Sequence, residues 1–299
     1  MPHVTIHGAR FHYQQMGQGP AVVLVHAVTS NLAIWLFSNL IGTLARDFHV
    51  TAYDLRGHGL SDVTPTGYTS AEMAADLAAL HEALGLDRAY LVGHSFGAVV
   101  ATHAAVLYPE WVQGLILADA YFPGLAAVEP NLPRAHVWVD LRQAFGQAGI
   151  DLGGNVDFAT LFRAVAALTA EQMQTIRETM GPSSARWLAG LPRLAGTTCG
   201  TDVFAIAGLT ADRIVSLRQP VVALYDEQSP FLATCGYLQE HLCDCSVDIV
   251  PGARHLAPIQ NPAAFVELVQ KHLTALQSRV SAKCNSPERG LRVRSPESA

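Results

Sequence analysis

The chain has no apolar run approaching the roughly 20 residues that a membrane-spanning helix needs, which sets a membrane protein aside. Its start, MPHVTIHGAR, lacks the basic-then-apolar layout of a secretory signal, so a cytoplasmic protein is expected. Cysteine is scarce and odd in number: Cys199, Cys235, Cys243, Cys245 and Cys284 stand without framework spacing. Reduced thiols are therefore expected in place of a disulfide scaffold. Cys243 and Cys245 form a CxC pair without the partner His or Cys spacing of a metal site, so no metal is expected. Net charge is −6 and no Lys/Arg stripe crosses the folded region, which argues against a nucleic-acid partner. The glycines form no dinucleotide fingerprint, and no cofactor is expected.

What is present is apolar. Half of the 299 residues are hydrophobic, enough to bury one large core. Short β-branched runs recur: AVVLVH (Ala21 to His26), HVTAYD (His49 to Asp54), AYLVGH (Ala89 to His94), GLILADA (Gly114 to Ala120), PVVALYD (Pro220 to Asp226) and SVDIVPG (Ser246 to Gly252). Continuous runs of this kind mark strands covered on both faces. RFHYQQM (Arg10 to Met16) alternates instead, as a half-buried strand does. Helical patterns lie between the runs. YTSAEMAADLAALHEALGL opens on a capping box, Thr69 with Glu72, and stops at Gly85. NPAAFVELVQKHLTAL begins with Pro262, suited to a first helical turn.

This alternation predicts an α/β fold with a doubly wound, mostly parallel sheet. From Phe122 to Leu217 it breaks into helical patterns alone, with a capping pair at Thr169 and Gln172. A structureless loop of that length is uncommon, so residues 122–217 are expected to form a helical lid inserted into a core of residues 1–121 and 218–276. Residues 277–299, polar, basic and punctuated by Pro and Gly, are expected to be a disordered tail.

The strongest chemical signal is VGHSFGA. Its G-x-S-x-G (Gly93, His94, Ser95, Phe96, Gly97) falls between a buried strand and a helix, the context a nucleophile elbow requires. The glycines let strand and helix approach, the strained turn exposes the Ser95 hydroxyl, and the helix offers its positive end to a developing negative charge.

With VLVHAVTSNLAIW, YDLRGHGLSD and VPGARHLAPIQNP, this motif resembles the α/β-hydrolase fold superfamily, in its serine-nucleophile branch with a helical cap. The resemblance runs from about Arg10 to Leu276. It implies an oxyanion hole built from the N–H groups of Val28, in HAVTS, and of Phe96. Ala27 stands where the family commonly has glycine, a departure able to alter the aim of the Val28 amide. The DLRGHGLSD segment, with Asp54, Arg56 and His58, is expected to be a buried structural turn. His255, after the last strand, takes the general-base position. Serine at the elbow argues against the aspartate-nucleophile dehalogenases and epoxide hydrolases of the superfamily.

The acid is less regular. Laid against the family's G-x-x-D after PVVALY, Asp226 falls on the glycine and Ser229 on the aspartate. Neutral serine cannot stabilise an imidazolium electrostatically. Asp119, after the strand that follows the elbow helix, is the favoured replacement. Asp226 and Glu227 are the alternatives, and Asp226→Asn and Ser229→Ala are expected to lose little activity. The implied activity is hydrolysis of a small, largely apolar ester, lactone or thioester through an acyl-enzyme, with a small-molecule substrate as the partner. Carbon–carbon bond hydrolysis, a cofactor-free lyase and a non-catalytic ligand sensor on the same scaffold are the alternatives.

Overall fold

The computed structural model describes residues 1–155, 157–181 and 184–285, with the side chains of 184–186 and 280–285 set aside. Eight strands form one sheet: β1 (His3–Ile6), β2 (Ala9–Met16), β3 (Ala21–Val25), β4 (His49–Tyr53), β5 (Ala89–His94), β6 (Val112–Ala118), β7 (Val221–Asp226) and β8 (Cys245–Val250). Their spatial order is β1-β2-β4-β3-β5-β6-β7-β8. The first two pairings, β1 with β2 and β2 with β4, are antiparallel. All the others are parallel.

The buried strands show why continuous apolar runs were needed. Along β3, Val23 and Val25 join one core while Val22 and Leu24 join the other. β6 splits the same way, with Leu115 and Leu117 against Ile116 and Ala118. Successive side chains of a strand point to opposite faces, so a sheet with helices on both sides must be apolar at every position. The second core takes in Trp35 from α1 (Ala33–Phe37), Leu40 and Leu44 from α2 (Leu40–Leu44), and Phe265 from the last helix. The first takes in α3 (Ser70–Ala83) and α4 (Phe96–Leu107). The α3 capping box between Thr69 and Glu72 is complete.

Between β6 and β7 the described residues hold helical segments and no strand: α5 (His136–Gln147), α6 (Phe158–Ala166), α7 (Ala170–Met180), α8 (Ser184–Gly190), α9 (Cys199–Asp202) and α10 (Ala211–Val215). Thr169 and Gln172 cap α7 reciprocally. Phe158 packs its ring against Trp138, Phe162 and Phe204, at 5.0, 5.7 and 5.3 Å between centroids. After β7 come α11 (Leu232–His241), α12 (Ala257–Gln260) and α13 (Pro262–Asn285).

Several boundaries differ from the sequence expectation. β1 was not anticipated, because four residues at a sheet edge, most of them at least partly exposed, carry no apolar signature. β6 starts and ends two residues early, so Asp119 and Ala120 follow the strand. β8 is an edge strand, and Ile249 is exposed on it. The last helix continues to Asn285, past the expected end of order at Leu276, and residues 286–299 lie outside the described residues. No helix among the described residues is long and apolar enough to cross a membrane.

Candidate active site

Parallel registers carry the functional candidates to one edge of the sheet. Val25 pairs with Gly93, His94 with Ala118, Ala118 with Leu224, and Asp226 with Val250. The loops leaving the carboxyl ends of β3, β5, β6, β7 and β8 therefore converge there, as they do in open α/β sheets.

Ser95 turns the chain from β5 into α4 with φ 52° and ψ −120°, a left-handed value that is strained for a residue with a Cβ. Two glycines make this turn possible. A Cβ on Gly97 would sit 2.1 Å from the Val25 carbonyl oxygen, and one on Gly93 would sit 2.5 Å from the Ala98 backbone. The start of α4 is thus pressed against the end of β3, where the HAVTS loop begins. Phe96 is the first residue of α4, a position whose N–H has no intrahelical acceptor.

Asp119, fully buried and also at positive φ (48°), follows β6. Its Oδ2 accepts a hydrogen bond from His255 Nδ1 at 2.6 Å, and its Oδ1 accepts from the Asp226 N–H at 3.1 Å. The far nitrogen of His255 is left for other chemistry. Phe231 meets the imidazole in a T-shaped arrangement, with centroids 5.2 Å apart. The elbow touches the same turn, because His94 Nε2–H donates to the His255 carbonyl at 2.8 Å. Burial, with the neighbouring His255, pushes the His94 ring down to about 4, so it is neutral at pH 7 and holds the tautomer this bond requires.

Ser229 and the alternative acids are occupied differently. Ser229 Oγ accepts from the Phe231 N–H at 2.9 Å, ordering the residue that leans on His255. Glu227 turns to the Gly252 N–H at 2.9 Å. Asp226 Oδ2 accepts from the Ala257 N–H at 3.1 Å, two residues beyond His255. Burial, and then the charge of Asp119, push the Asp226 carboxyl up to about 7.

A buried network lies behind the HAVTS loop. Asp54 accepts from Leu32 N–H at 2.7 Å, Leu60 N–H at 2.9 Å and His12 Nδ1 at 2.7 Å. Arg56 grips Asp76 bidentately at 2.9 and 2.6 Å. His58 donates from Nδ1 to the Arg56 carbonyl at 2.7 Å and accepts the Thr29 N–H on Nε2 at 3.1 Å. Burial first, then the nearby His26, pushes His58 down to about 3, which keeps it neutral and able to accept. The positive φ in this loop falls on Thr29, at 65°, and not on Ala27. The Ala27 methyl therefore meets no left-handed backbone.

The sequence alone marks DLRGHGLSD as a structural turn and has no means of showing that His58 braces the HAVTS loop from 29 residues away. It also missed three ties from the helical insertion to the core. Trp187 Nε1–H donates to Thr29 Oγ1 at 2.9 Å, Arg193 donates to the carbonyls of Gly59 and Ser61, and Arg254 pairs with Asp140 at 3.3 Å. No local motif announces such contacts.

A family model for the α/β-hydrolase fold matches residues 20–262. The chain belongs to the α/β-hydrolase fold family. The 2-(acetamidomethylene)succinate hydrolase of Mesorhizobium japonicum is 28% identical to this chain over 269 residues, covering 88% of this chain and 91% of that one. A soluble epoxide hydrolase of Corynebacterium sp. is 35% identical over 155 residues, covering 52% and 51%. The solved enol-lactonase from Burkholderia xenovorans shares the fold with a TM-score of 0.65 at 21% identity, covering 91% of this α/β-hydrolase and 100% of its own chain.

Proposed function

We propose that this α/β-hydrolase is a serine hydrolase that cleaves a small, largely apolar ester, lactone or thioester through an acyl-enzyme. The observation that carries the reading is that a strained elbow serine lies at the same sheet edge as buried Asp119 hydrogen-bonded to part-buried His255. In this reading Ser95 Oγ attacks the carbonyl carbon while His255 accepts its proton on the nitrogen not held by Asp119. The oxyanion so formed is held by the N–H groups of Val28 and Phe96. Collapse breaks the carbonyl–oxygen bond (carbonyl–sulfur in a thioester), and His255 returns the proton to the departing alcohol or thiol. Water, deprotonated by His255, then releases the acid and restores Ser95. Asp119 holds the imidazole in one tautomer and stabilises its cation. The name of one relative, a 2-(acetamidomethylene)succinate hydrolase, supports hydrolysis as the reaction class. The helical insertion then serves as a lid, with Trp187 resting on the oxyanion loop.

The test is covalent labelling with a fluorophosphonate probe. Wild-type protein is expected to carry one adduct, mapped by mass spectrometry to Ser95, and Ser95→Ala to carry none there. Absence of an adduct on Ser95 in wild-type protein at neutral pH would sink the reading.

A further inference from the structure

Asp226 is a buried carboxylate that the reaction above does not use. It is 2% exposed, at the last position of β7. Its backbone N–H holds one oxygen of Asp119, and its own Oδ2 holds the Ala257 N–H, so it touches the supports of both the acid and the base. The charges of Asp119, from the end of β6, and of His255, from the turn after β8, both act on it. The other ionisable groups nearby are turned elsewhere. Glu227 binds the Gly252 N–H, Arg254 pairs with Asp140 of α5, and the Tyr225 hydroxyl donates to the Ala120 carbonyl. His94, behind the elbow, and His136, on α5, lie where the charges of Asp119 and His255 reach them.

We propose that Asp226 is a second, positioning carboxylate of the catalytic cluster: it clamps the His255 turn and, once ionised, adds a second negative charge near the imidazolium formed during attack. The proposal rests on the serine-hydrolase reading. An anion within the range at which charges shift a neighbour's proton affinity favours the cationic ring. Burial and the charge of Asp119 hold the Asp226 proton on to near neutrality, so the assistance switches on as pH rises through that range. A catalytic acid whose usual position is filled by Ser229 thereby gains a partner from the neighbouring strand end.

The experiment measures fluorophosphonate labelling of Ser95 against pH in wild type and Asp226→Asn. In each reaction the Ser95 oxygen–phosphorus bond forms, the phosphorus–fluorine bond breaks, and the serine proton passes to His255. Asparagine keeps an acceptor for the Ala257 N–H, so the fold is expected to survive. Where the sequence alone led to an expectation of little loss, the high-pH plateau should now fall roughly three- to tenfold, a loss of about one power of ten at most, while rates at pH 5 stay equal. Superimposable profiles overturn the proposal. A carboxyl-carbon NMR titration of Asp226 decides it independently of labelling. Titration near neutrality that moves to lower pH in Asp119→Asn and to higher pH in His255→Gln supports the cluster. Titration in the ordinary carboxylate range, indifferent to both substitutions, overturns it. Absence of labelling in wild type sinks the serine-hydrolase reading instead, and leaves the titration to judge Asp226.

Discussion

At the scale of single residues, the three acids around His255 are separated by what each carboxylate touches. Asp119 contacts the imidazole directly, Asp226 contacts the backbone of the turn that carries it, and Glu227 contacts Gly252. Asp119→Asn would reverse the donor at His255 Nδ1 or lose the bond, and would remove the charge that stabilises the cation. The expected outcome is a fall in the labelling rate of Ser95 of about 10⁴, the size of the effect when the acid of a serine triad is neutralised. Glu227→Gln is expected to change that rate less than twofold, since its contact is with a loop N–H. Measuring both variants beside wild type by stopped labelling and mass spectrometry checks the ranking. A full rate in Asp119→Asn would return the acid to a neighbour.

At the scale of elements, the elbow depends on how closely α4 approaches β3. The Gly97 position leaves no room for a methyl, because the nearest atoms are backbone carbonyl oxygens of Val25 and His26, at 2.1 and 2.5 Å from an added Cβ. Neither can rotate away as a side chain would. Gly97→Ala must push the helix off the strand, at a cost of about 1–3 kcal/mol for overpacking. The displacement also moves the Phe96 N–H, which precedes it directly. The expected result is a lower urea midpoint together with a disproportionate loss of Ser95 labelling, read on the fraction that remains folded. Retained labelling with lowered stability would separate the packing role of Gly97 from any role in placing the oxyanion donor.

At the scale of the whole molecule, buried ionisable groups set the pH range of stability. His94 and His58 are pushed by burial down to about 4 and about 3, and His26 is lowered for the same reason. In the unfolded chain these rings bind protons near pH 6.5. The stability they contribute is therefore present above pH 6.5 and is lost as pH falls toward their folded values. Asp226 acts with the opposite sign: its raised value means that the folded protein keeps a proton the unfolded chain has released, so stability declines as pH rises from about 4 to about 7. Thermal unfolding is expected to show a steep acid limb that flattens in His94→Gln. Asp226→Asn should gain stability relative to wild type at pH 8 more than at pH 4. Melting temperatures collected across that range decide both.

Much of the fold was legible because it follows from local physical requirements. A doubly wound sheet needs strands that are apolar at every position, and AVVLV is so; a capped helix needs its reciprocal pair, and Thr69 with Glu72 supplies it. The Ser95 elbow was legible for the same reason, since its two glycines answer to contacts within a few residues and with the adjoining strand. The edge strand β1 escaped the sequence because a short, half-exposed strand carries a weak pattern, and β8 was expected as a strand but is not covered on both faces. What the sequence by itself determined was the α/β class, the order of the buried strands and the helices between them, and a short set of residues able to do chemistry. The tertiary structure alone decided which of them meet: Asp119 reaches His255 across 136 positions, His58 braces Thr29, and Trp187 lands on the loop beside it. Parallel register and the common direction of the strand ends fix those distances, and neither is encoded in the spacing of residues along the chain.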